Sequence, residues 1–166
     1  QLERRRHAHL RDLLAERGEA GLRGGVTLID AWGLSLGELQ RANPNAVDLV
    51  RLLAFFHCDA LPDTCLQAGA AFAGPDLGPV LADGLARNEA FRDAQRFAFV
   101  RRDVKTGTRA MHRLMQAVLR DTLPEQEREL WCMRALEVLN AAMPEPRFAD
   151  WAQCDKPAAH ALAVPD

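Results

Sequence analysis

The stretch RRDVKTGTRAMHRLMQAVLRD, residues 101–121, places a histidine where two sequence patterns meet. Before His112, two short strand-like runs flank a turn that contains Gly107, and after it apolar residues recur at helical spacing. Histidine changes charge near neutral pH, and its ring can donate or accept a hydrogen bond. At such a junction it can cap the helix or bind a carbonyl of the hairpin, and either role would be structural.

The other side chains that could bind a metal or act as nucleophiles are scattered. Cys58 and Cys65 are seven residues apart with His57 beside them, which is too loose for a zinc site because zinc sites usually have closer ligand pairs. The chain has no CxxC pair, so we interpret its cysteines as buried, reduced thiols and predict no metal site. The cysteines are Cys58, Cys65, Cys132 and Cys154.

Local motifs of catalysis are missing from the sequence. It contains neither the G-x-x-x-x-G-K-[ST] phosphate loop nor G-x-G-x-x-G, and neither G-x-S-x-G nor H-E-x-x-H. A set of catalytic residues can assemble in space from distant positions, but no local feature favours one here. We therefore predict that the chain is not an enzyme and has no catalytic residues.

The composition is that of a globular chain without a strong charge bias. Of 166 residues, 48% are hydrophobic and 27% are charged, and the net charge is -2, so nothing global indicates a nucleic-acid or membrane partner. No apolar run approaches the roughly 20 residues that span a bilayer, and the basic start is not followed by the apolar core of a signal peptide. We expect a cytoplasmic protein.

Hydrophobic residues recur at helical spacing along most of the chain. Residues 46–57 are apolar on nearly every side, so we predict that this helix lies at the centre of the core. Ser35 with Glu38 three residues later predicts a capped helix start, and residues 26–34 fit either a short strand or an extended lead-in. Helices are predicted over 1–17, 36–42, 46–57, 62–72, 76–82, 85–96, 112–121 and 124–143, and strands over 97–101 and 109–111.

Prolines and apolar spacing refine these elements. Asn43-Pro44-Asn45 should break the chain between two helices, and Pro62 should occupy the first position of the next helix. The helix over residues 85–96 is predicted to bury one apolar face. That face consists of Leu85, Ala90, Phe91 and Ala94.

The order of elements is three helices, a two-stranded hairpin and a further helix, with helices on the flanks. This order is typical of a winged-helix domain, in which the hairpin is the wing. We therefore predict a mainly α fold: a winged-helix domain with a helical core, a two-stranded β-hairpin wing and flanking helices.

Winged-helix domains often insert the helix before the hairpin into the major groove of DNA. Here Glu89 and Asp93 on that helix would face phosphates, which argues against insertion. Residues 96–121 are more basic, with seven cations against Asp103 and Asp121, a balance of +5. They could contact phosphates of DNA or of a nucleotide, face an acidic domain, or form a solvated wing with internal ion pairs. The cations are Arg96, Arg101, Arg102, Lys105, Arg109, Arg113 and Arg120.

The run AWGLSLGELQRANPNAVDLVRLLAFFHCDALPDTCLQAGAAF, residues 31–72, resembles the winged-helix half of signal-transducing NTPases of the NB-ARC, or STAND, type. This class includes apoptosome proteins, plant resistance proteins and many bacterial relatives. Its winged helix typically begins W-x-L-S-[LF]-x-x-L, continues in a helix that ends A-F-L or A-F-F, and then has a D-x-[IL]-P turn. The matching residues are Trp32, Leu34, Ser35, Leu36, Leu39, 54–56 and 59–62.

MHRLMQAVLRD, residues 111–121, is similar to the MHD signature of that family, in the H-R-L-[VM]-Q form of bacterial members with tetratricopeptide repeats. The resemblance implies that His112 reaches the β-phosphate of bound ADP and that Met111 packs beneath it. A ring N–H can donate to a phosphate oxygen, more strongly if the ring is charged, and a helix start favours anions. Arg113 replaces the aspartate of the MHD form, so the role of that acid is not carried over.

The resemblance also implies an arrangement of domains. Residues 1–30 would be a trailing helix and loop of an upstream helical domain, residues 31–122 the winged helix, and residues 123–166 helices that lead toward a repeat array. The chain would be a non-catalytic segment that couples the ADP/ATP state to conformational switching. ADP or ATP with magnesium would bind to the parent protein, and this segment would hold no cofactor of its own.

The implied partners are the upstream nucleotide-binding domain, the downstream repeat domain and other proteins, rather than a membrane or nucleic acid. Two other functions stay open on the residues alone: a DNA-binding transcriptional regulator and a helical interaction scaffold. Salt dependence separates the first of these from the switch, because DNA binding through Lys and Arg weakens steeply as salt rises.

Overall fold

A computed structural model describes residues 28–58, 61–103 and 108–143 of the chain. Over these residues the fold is mainly helical with a small two-stranded antiparallel sheet, which confirms the mainly α part of the prediction. The helices are α1 (Leu28–Ala42), α2 (Pro44–Leu53), α3 (Asp63–Ala68), α4 (Leu77–Ala82), α5 (Gly84–Arg96), α6 (Arg113–Thr122) and α7 (Glu125–Ala142). A 3-10 turn spans Ala70–Phe72, and the strands are β1 (Arg101–Arg102) and β2 (Arg109–Ala110). The helix predicted over 1–17 and the tail after residue 143 lie outside the described residues.

Helix α1 is longer than the sequence predicted. It begins at Leu28, so the strand or extended lead-in over 26–34 is wrong for residues 28–34, and Ser35 is not a helix cap. Its hydroxyl donates to the carbonyl of Ala31 at 2.9 Å, four residues back in the same helix. Serine can make this bond inside a helix as well as cap one. The pattern of Ser35 and Glu38 therefore did not identify a helix start.

Helix α2 begins where the sequence predicted and lies in the core. The Asn43 side chain caps it by accepting from the Ala46 amide at 3.2 Å, and Pro44 occupies the first turn. Burial of each large side chain stabilises the fold by about 1.5–3 kcal/mol, so this helix and the turn after it form the centre of the core, as predicted. The buried residues are Ala46, Val47, Leu49, Val50, Leu52, Leu53, Ala54, Phe55 and Phe56.

The helix predicted over 62–72 is two elements, α3 and the 3-10 turn, which meet at Gly69. Pro62 is the N-cap of α3, one position before the first helical residue that was predicted for it. A Cβ on Gly69 would lie 2.5 Å from the Cα of Val138 in α7. The absence of a side chain thus allows α3 and α7 to approach closely.

The hairpin is shorter than predicted, because α5 ends in a turn rather than in a strand. The amide of Phe99 donates to the carbonyl of Ala94 at 2.9 Å, and Ala98 has a φ of 63°. The strand over 97–101 is therefore wrong for residues 97–100. Among the described residues the hairpin is formed by two residue pairs, Arg101 with Ala110 and Arg102 with Arg109.

Leu85 was predicted to be buried, but it is 81% exposed. At 100° per residue, positions 85 and 94 lie on opposite faces of a helix. The buried face of α5 consists of Arg87, Ala90, Phe91 and Ala94. The prediction was therefore right for Ala90, Phe91 and Ala94. It was wrong for Leu85, which the helical angle places on the opposite face.

Candidate functional site at the hairpin–helix junction

His112 is the N-cap of α6. Its backbone is extended (φ -64°, ψ 131°), and its Nδ1 accepts a hydrogen bond from the amide of Leu114 at 3.2 Å. The side chain is otherwise exposed. The capping role that the sequence left open is therefore present in the structure.

This cap determines which ring nitrogen of His112 carries a proton. Because Nδ1 accepts, the neutral ring must carry its hydrogen on Nε2, which becomes a donor. Within the part of the chain that the structure describes, Nε2 has no hydrogen-bond partner. The ring can thus cap α6 and still donate one bond to an anionic oxygen at the positive end of the helix.

Met111 anchors the junction in the core. Its side chain is 4% exposed and belongs to the central hydrophobic cluster. Its amide donates to the carbonyl of Cys58 at 3.1 Å. The residue before the histidine is therefore held by both side chain and backbone.

Arg109, in β2, is a buried ionic centre rather than part of a basic surface. It is 3% exposed. Its Nε and Nη2 atoms each donate to the carboxylate of Asp63 at 3.2 Å, and Nη2 also donates to Oδ1 of Asn88 at 3.2 Å. The guanidinium lies 4.2 Å from the centre of the Phe91 ring. One side chain thereby joins the hairpin to α3 and α5.

Two further polar side chains dock α6 onto the C-terminal end of α2. Gln116 is 4% exposed, and its amide nitrogen donates to the carbonyls of Leu53 and Phe56, each at 3.0 Å. Arg120 donates to the carbonyl of Ala54. These carbonyls belong to the last residue of α2 and to the turn after it, where few backbone donors remain, so α6 supplies hydrogen bonds at this end of the helix.

The basic stretch is only partly available to an external partner. Arg109 and Arg120 bind internal acceptors, and the guanidinium of Arg96 lies 5.5 Å from the ring centre of Phe97. Lys105 lies outside the described residues. Arg101, Arg102 and Arg113 are exposed.

Several polar side chains of α5 also form hydrogen bonds or ion pairs within the fold. Arg87 is 9% exposed and donates to the carbonyl of Leu81. Asp93 accepts from the Asn43 side chain at 2.8 Å, and Arg92 pairs with Glu89 at 3.3 Å. Among these side chains, those of Glu89 and Arg92 are exposed.

A separate apolar cleft of about 560 Å³ lies between α1, the turn after α5, and α6. Trp32, Phe99 and Met115 line it, with Asp30 and Thr122 as its polar groups. Neither His112 nor Arg109 contributes to this cleft. Most of its lining residues are apolar side chains of a core that is incompletely covered at this point. The hairpin–helix junction around His112 is therefore the better candidate for a functional site.

No group of three or more His, Cys, Asp or Glu residues within the described ranges is arranged to hold a metal ion. Cys65 is buried, while Cys58 and Cys132 are half-buried, and none of the three is in a disulfide. Burial raises the pKa of the Cys132 thiol above its ordinary value, which disfavours the reactive thiolate. Cys154 lies outside the described residues.

None of the described helices has the length and apolar character needed to cross a membrane.

Sequence reasoning missed the roles of Arg109 and Gln116. Arg109 was counted with the basic surface, because its partners Asp63 and Asn88 are 46 and 21 residues away. A weak signal existed for Gln116, which lies between Met115 and Val118 on the apolar face of α6. A polar residue on such a face is usually one that finds buried partners.

Comparison with known proteins gives one family match. A family model described as a domain of unknown function (DUF7779) matches residues 38–128, which is more than half of the chain. The match runs from within α1 to the first turn of α7, so it includes the whole junction around His112. No curated protein and no solved structure matches the chain.

Proposed function

Because the chain belongs to the DUF7779 family, whose description assigns no activity, we propose a function from the junction itself. The chain is a non-catalytic regulatory segment of a STAND-type signalling NTPase. In this role His112 donates to a phosphate of bound nucleotide and so couples the nucleotide state to conformation. The observation that carries the proposal is the N-cap geometry of His112, which leaves Nε2 as a donor at the surface.

We also propose that residues 31–122 form a winged-helix domain. The support is the pairing of Leu61 with Arg109, in which each amide donates to the other's carbonyl at 2.9 and 3.1 Å. Leu61 lies between α2 and α3, so it adds a third, one-residue strand beside the hairpin. Helices followed by a two-stranded wing are the arrangement that the resemblance implies, and the pairing of Leu61 with Arg109 attaches the wing to the helical core.

The switch works by a difference in contacts between two states. With ADP bound to an upstream domain, the donor on His112 holds that domain against the hairpin–helix junction. When the contact is lost, the two parts separate. A coupling of this kind is usually about 1–3 kcal/mol, which one hydrogen bond to a charged acceptor can supply, since such bonds contribute about 1.5–3 kcal/mol.

ADP or ATP and magnesium would be held by the upstream nucleotide-binding domain of a cytoplasmic parent protein. This chain would contribute the His112 donor, with the exposed Arg113 beside it as a second positive group. A downstream repeat domain fits the other end of the segment. Three exposed apolar residues of α7 recur every three positions, which suits packing against a further helix: Leu130, Met133 and Leu136.

DNA binding is the weaker alternative. Arg87 on α5 is buried and binds Leu81, and Glu89 lies on the exposed surface beside Arg92. A helix with this charge distribution would bring a carboxylate toward the phosphates of a major groove. No contact of the described residues favours DNA over a nucleotide phosphate.

The proposal is tested by the dissociation rate of a fluorescent ADP analogue from the complete parent protein. We compare His112→Ala with His112→Ser, since serine is a good N-cap but its short hydroxyl does not extend to where Nε2 lies. Both variants should release ADP about 5–150-fold faster than the wild type. If His112→Ser releases ADP at the wild-type rate, His112 is a helix cap only.

A further inference from the structure

We infer that two buried polar side chains, Arg109 and Gln116, are positioning residues for His112. Arg109 precedes the histidine by three residues and Gln116 follows it by four. Each is fixed by hydrogen bonds to elements distant in sequence. The inference rests on the proposed function, since His112 needs a defined position only if it contacts a ligand.

Arg109 fixes the chain before the histidine. Its side chain is bound to Asp63 and Asn88. Its backbone is held as well, because its amide donates to Leu61 at 3.1 Å and its carbonyl accepts from Leu61 at 2.9 Å. β2 is therefore attached to α3, α5 and the segment before α3 through a single residue.

Little freedom remains between Arg109 and His112. Ala110 pairs with Arg101 in the hairpin. The amide of Met111 donates to the carbonyl of Cys58 at 3.1 Å, and its side chain is in the core. Each residue from 109 to 111 is thus held by a backbone pairing or hydrogen bond, so the position of Arg109 determines where His112 lies.

Gln116 fixes the chain after the histidine. Its own amide donates to the carbonyl of His112 at 3.1 Å, a bond of the first turn of α6. Its side chain donates to the carbonyls of Leu53, the last residue of α2, and Phe56, in the turn after it. The first turn of α6 is consequently attached to the core by the residue that closes it.

Arg87 provides a matched control. It is also a buried arginine, at 9% exposed, and its guanidinium also donates to a backbone carbonyl, that of Leu81. It lies in α5, and neither its side chain nor its acceptor belongs to the junction. A general loss of stability would follow from replacing Arg87 as well as Arg109, whereas a change in the His112 cap would follow only from replacing Arg109.

The test uses the 166-residue chain without nucleotide and measures amide hydrogen exchange at Leu114, whose N–H is bound to the ring of His112. The rate at Leu52 in α2 is measured beside it as a separate report of global opening. Nitrogen-15 spectra of the ring report whether Nδ1 stays unprotonated and Nε2 protonated. The variants are Asn88→Ala, Arg109→Met, Gln116→Leu and the control Arg87→Met.

We expect the exchange rate of Leu114 itself to rise roughly fivefold in Arg109→Met and in Gln116→Leu, the change that a lost N-cap bond of about 1 kcal/mol implies. Arg87→Met should speed exchange at Leu52 but leave the Leu114 rate and the ring spectrum unchanged. Asn88→Ala removes one acceptor from Arg109 and should give a smaller rise in a folded protein, so the test does not depend on Arg109→Met folding.

Unchanged exchange in both Asn88→Ala and Gln116→Leu would overturn the positioning role. An equal rise in Arg87→Met would also overturn it, because the effect would then be one of stability alone. Neither result depends on nucleotide. If His112→Ser did not change ADP release, the exchange result would still show that Arg109 and Gln116 position the ring. If the exchange did not change, the ADP result for His112 would be unaffected. The two proposals can therefore fail separately.

Discussion

The guanidinium of Arg109 binds both carboxylate oxygens of Asp63 at 3.2 Å, across 46 residues of sequence. The arginine side chain is 4% exposed and that of the aspartate 30%. Such a two-pronged pair fixes orientation as well as distance. It holds the hairpin against α3, and with Asn88 and Phe91 against α5, at the point where the chain turns toward His112.

Removal of the arginine should therefore be costly. Arg109→Met leaves a partly buried carboxylate without its partner and removes the contact with Phe91, so we expect the free energy of unfolding to fall by about 3 kcal/mol. Urea denaturation of the chain measures it. Arg92→Met is the control, since Arg92 and Glu89 form an exposed pair that should contribute less than about 1 kcal/mol. Equal losses in the two variants would refute the structural importance of Arg109.

Gly69 and Gly33 should respond to alanine in opposite directions. A Cβ at Gly69 would meet the backbone of Val138 at 2.5 Å, so α3 and α7 would have to separate. We expect Gly69→Ala to destabilise the chain by about 1–3 kcal/mol. Gly33 lies in α1, where an added Cβ would have no neighbour within 4 Å, and Gly33→Ala should stabilise by roughly 0.5–1 kcal/mol. Thermal unfolding of both variants checks the signs.

Asp48 should make stability depend on pH. Burial raises the pKa of its carboxyl above the ordinary 3.8, against the opposing effect of Arg51. The folded state then holds the proton more tightly than the unfolded state, so stability falls as pH rises through the folded pKa. We expect Asp48→Asn to increase the free energy of unfolding at neutral pH, with the gain vanishing below the ordinary pKa of 3.8. A gain that grows toward acid would contradict this account.

The cap on α6 should be replaceable by serine but not by alanine. Nδ1 of His112 satisfies the amide of Leu114, and loss of an N-cap costs about 1 kcal/mol. We expect His112→Ala to lower the free energy of unfolding by that amount and His112→Ser to keep it near the wild-type value. Chemical denaturation of the chain compares the three proteins. Equal destabilisation by serine and alanine would mean that the capping bond contributes little.

Duplex DNA should bind only weakly and without saturation. Arg101 and Arg102 are exposed, but the cations at 87, 109 and 120 bind acceptors inside the fold. Fluorescence anisotropy of a labelled duplex over a range of salt concentrations measures this. Saturable, strongly salt-dependent binding that disappears in Arg101→Ala/Arg102→Ala would favour a DNA-binding regulator instead.

Local signals predicted some of these features well. Asn43 and Pro44 mark the start of α2 because a capping side chain and a fixed φ act within one turn. The prediction at Ser35 failed for an equally local reason. A serine hydroxyl can cap a helix start or donate to a carbonyl one turn back in the same helix, and that of Ser35 makes the second bond. The boundary of α2 was right because one local bond dominates there, and that of α1 was wrong because two local bonds compete.

Only part of the candidate site could be predicted from the sequence. The position of His112 at a helix start follows from the change of pattern around it. The burial of Arg109 does not, because it depends on a carboxylate in α3 and an amide in α5 that only the folded chain brings together. A cation count treats such an arginine as surface charge, whereas its partners make it part of the core.

The most direct test of the central claim is phosphorus NMR of ADP bound to the complete parent protein, compared between the wild type and His112→Ser. A hydrogen bond from Nε2 to the β-phosphate predicts that the substitution shifts the β-phosphorus resonance and leaves the α-phosphorus resonance nearly unchanged. If both resonances stay in place while ADP remains bound, His112 does not contact the nucleotide, and its role is to cap α6.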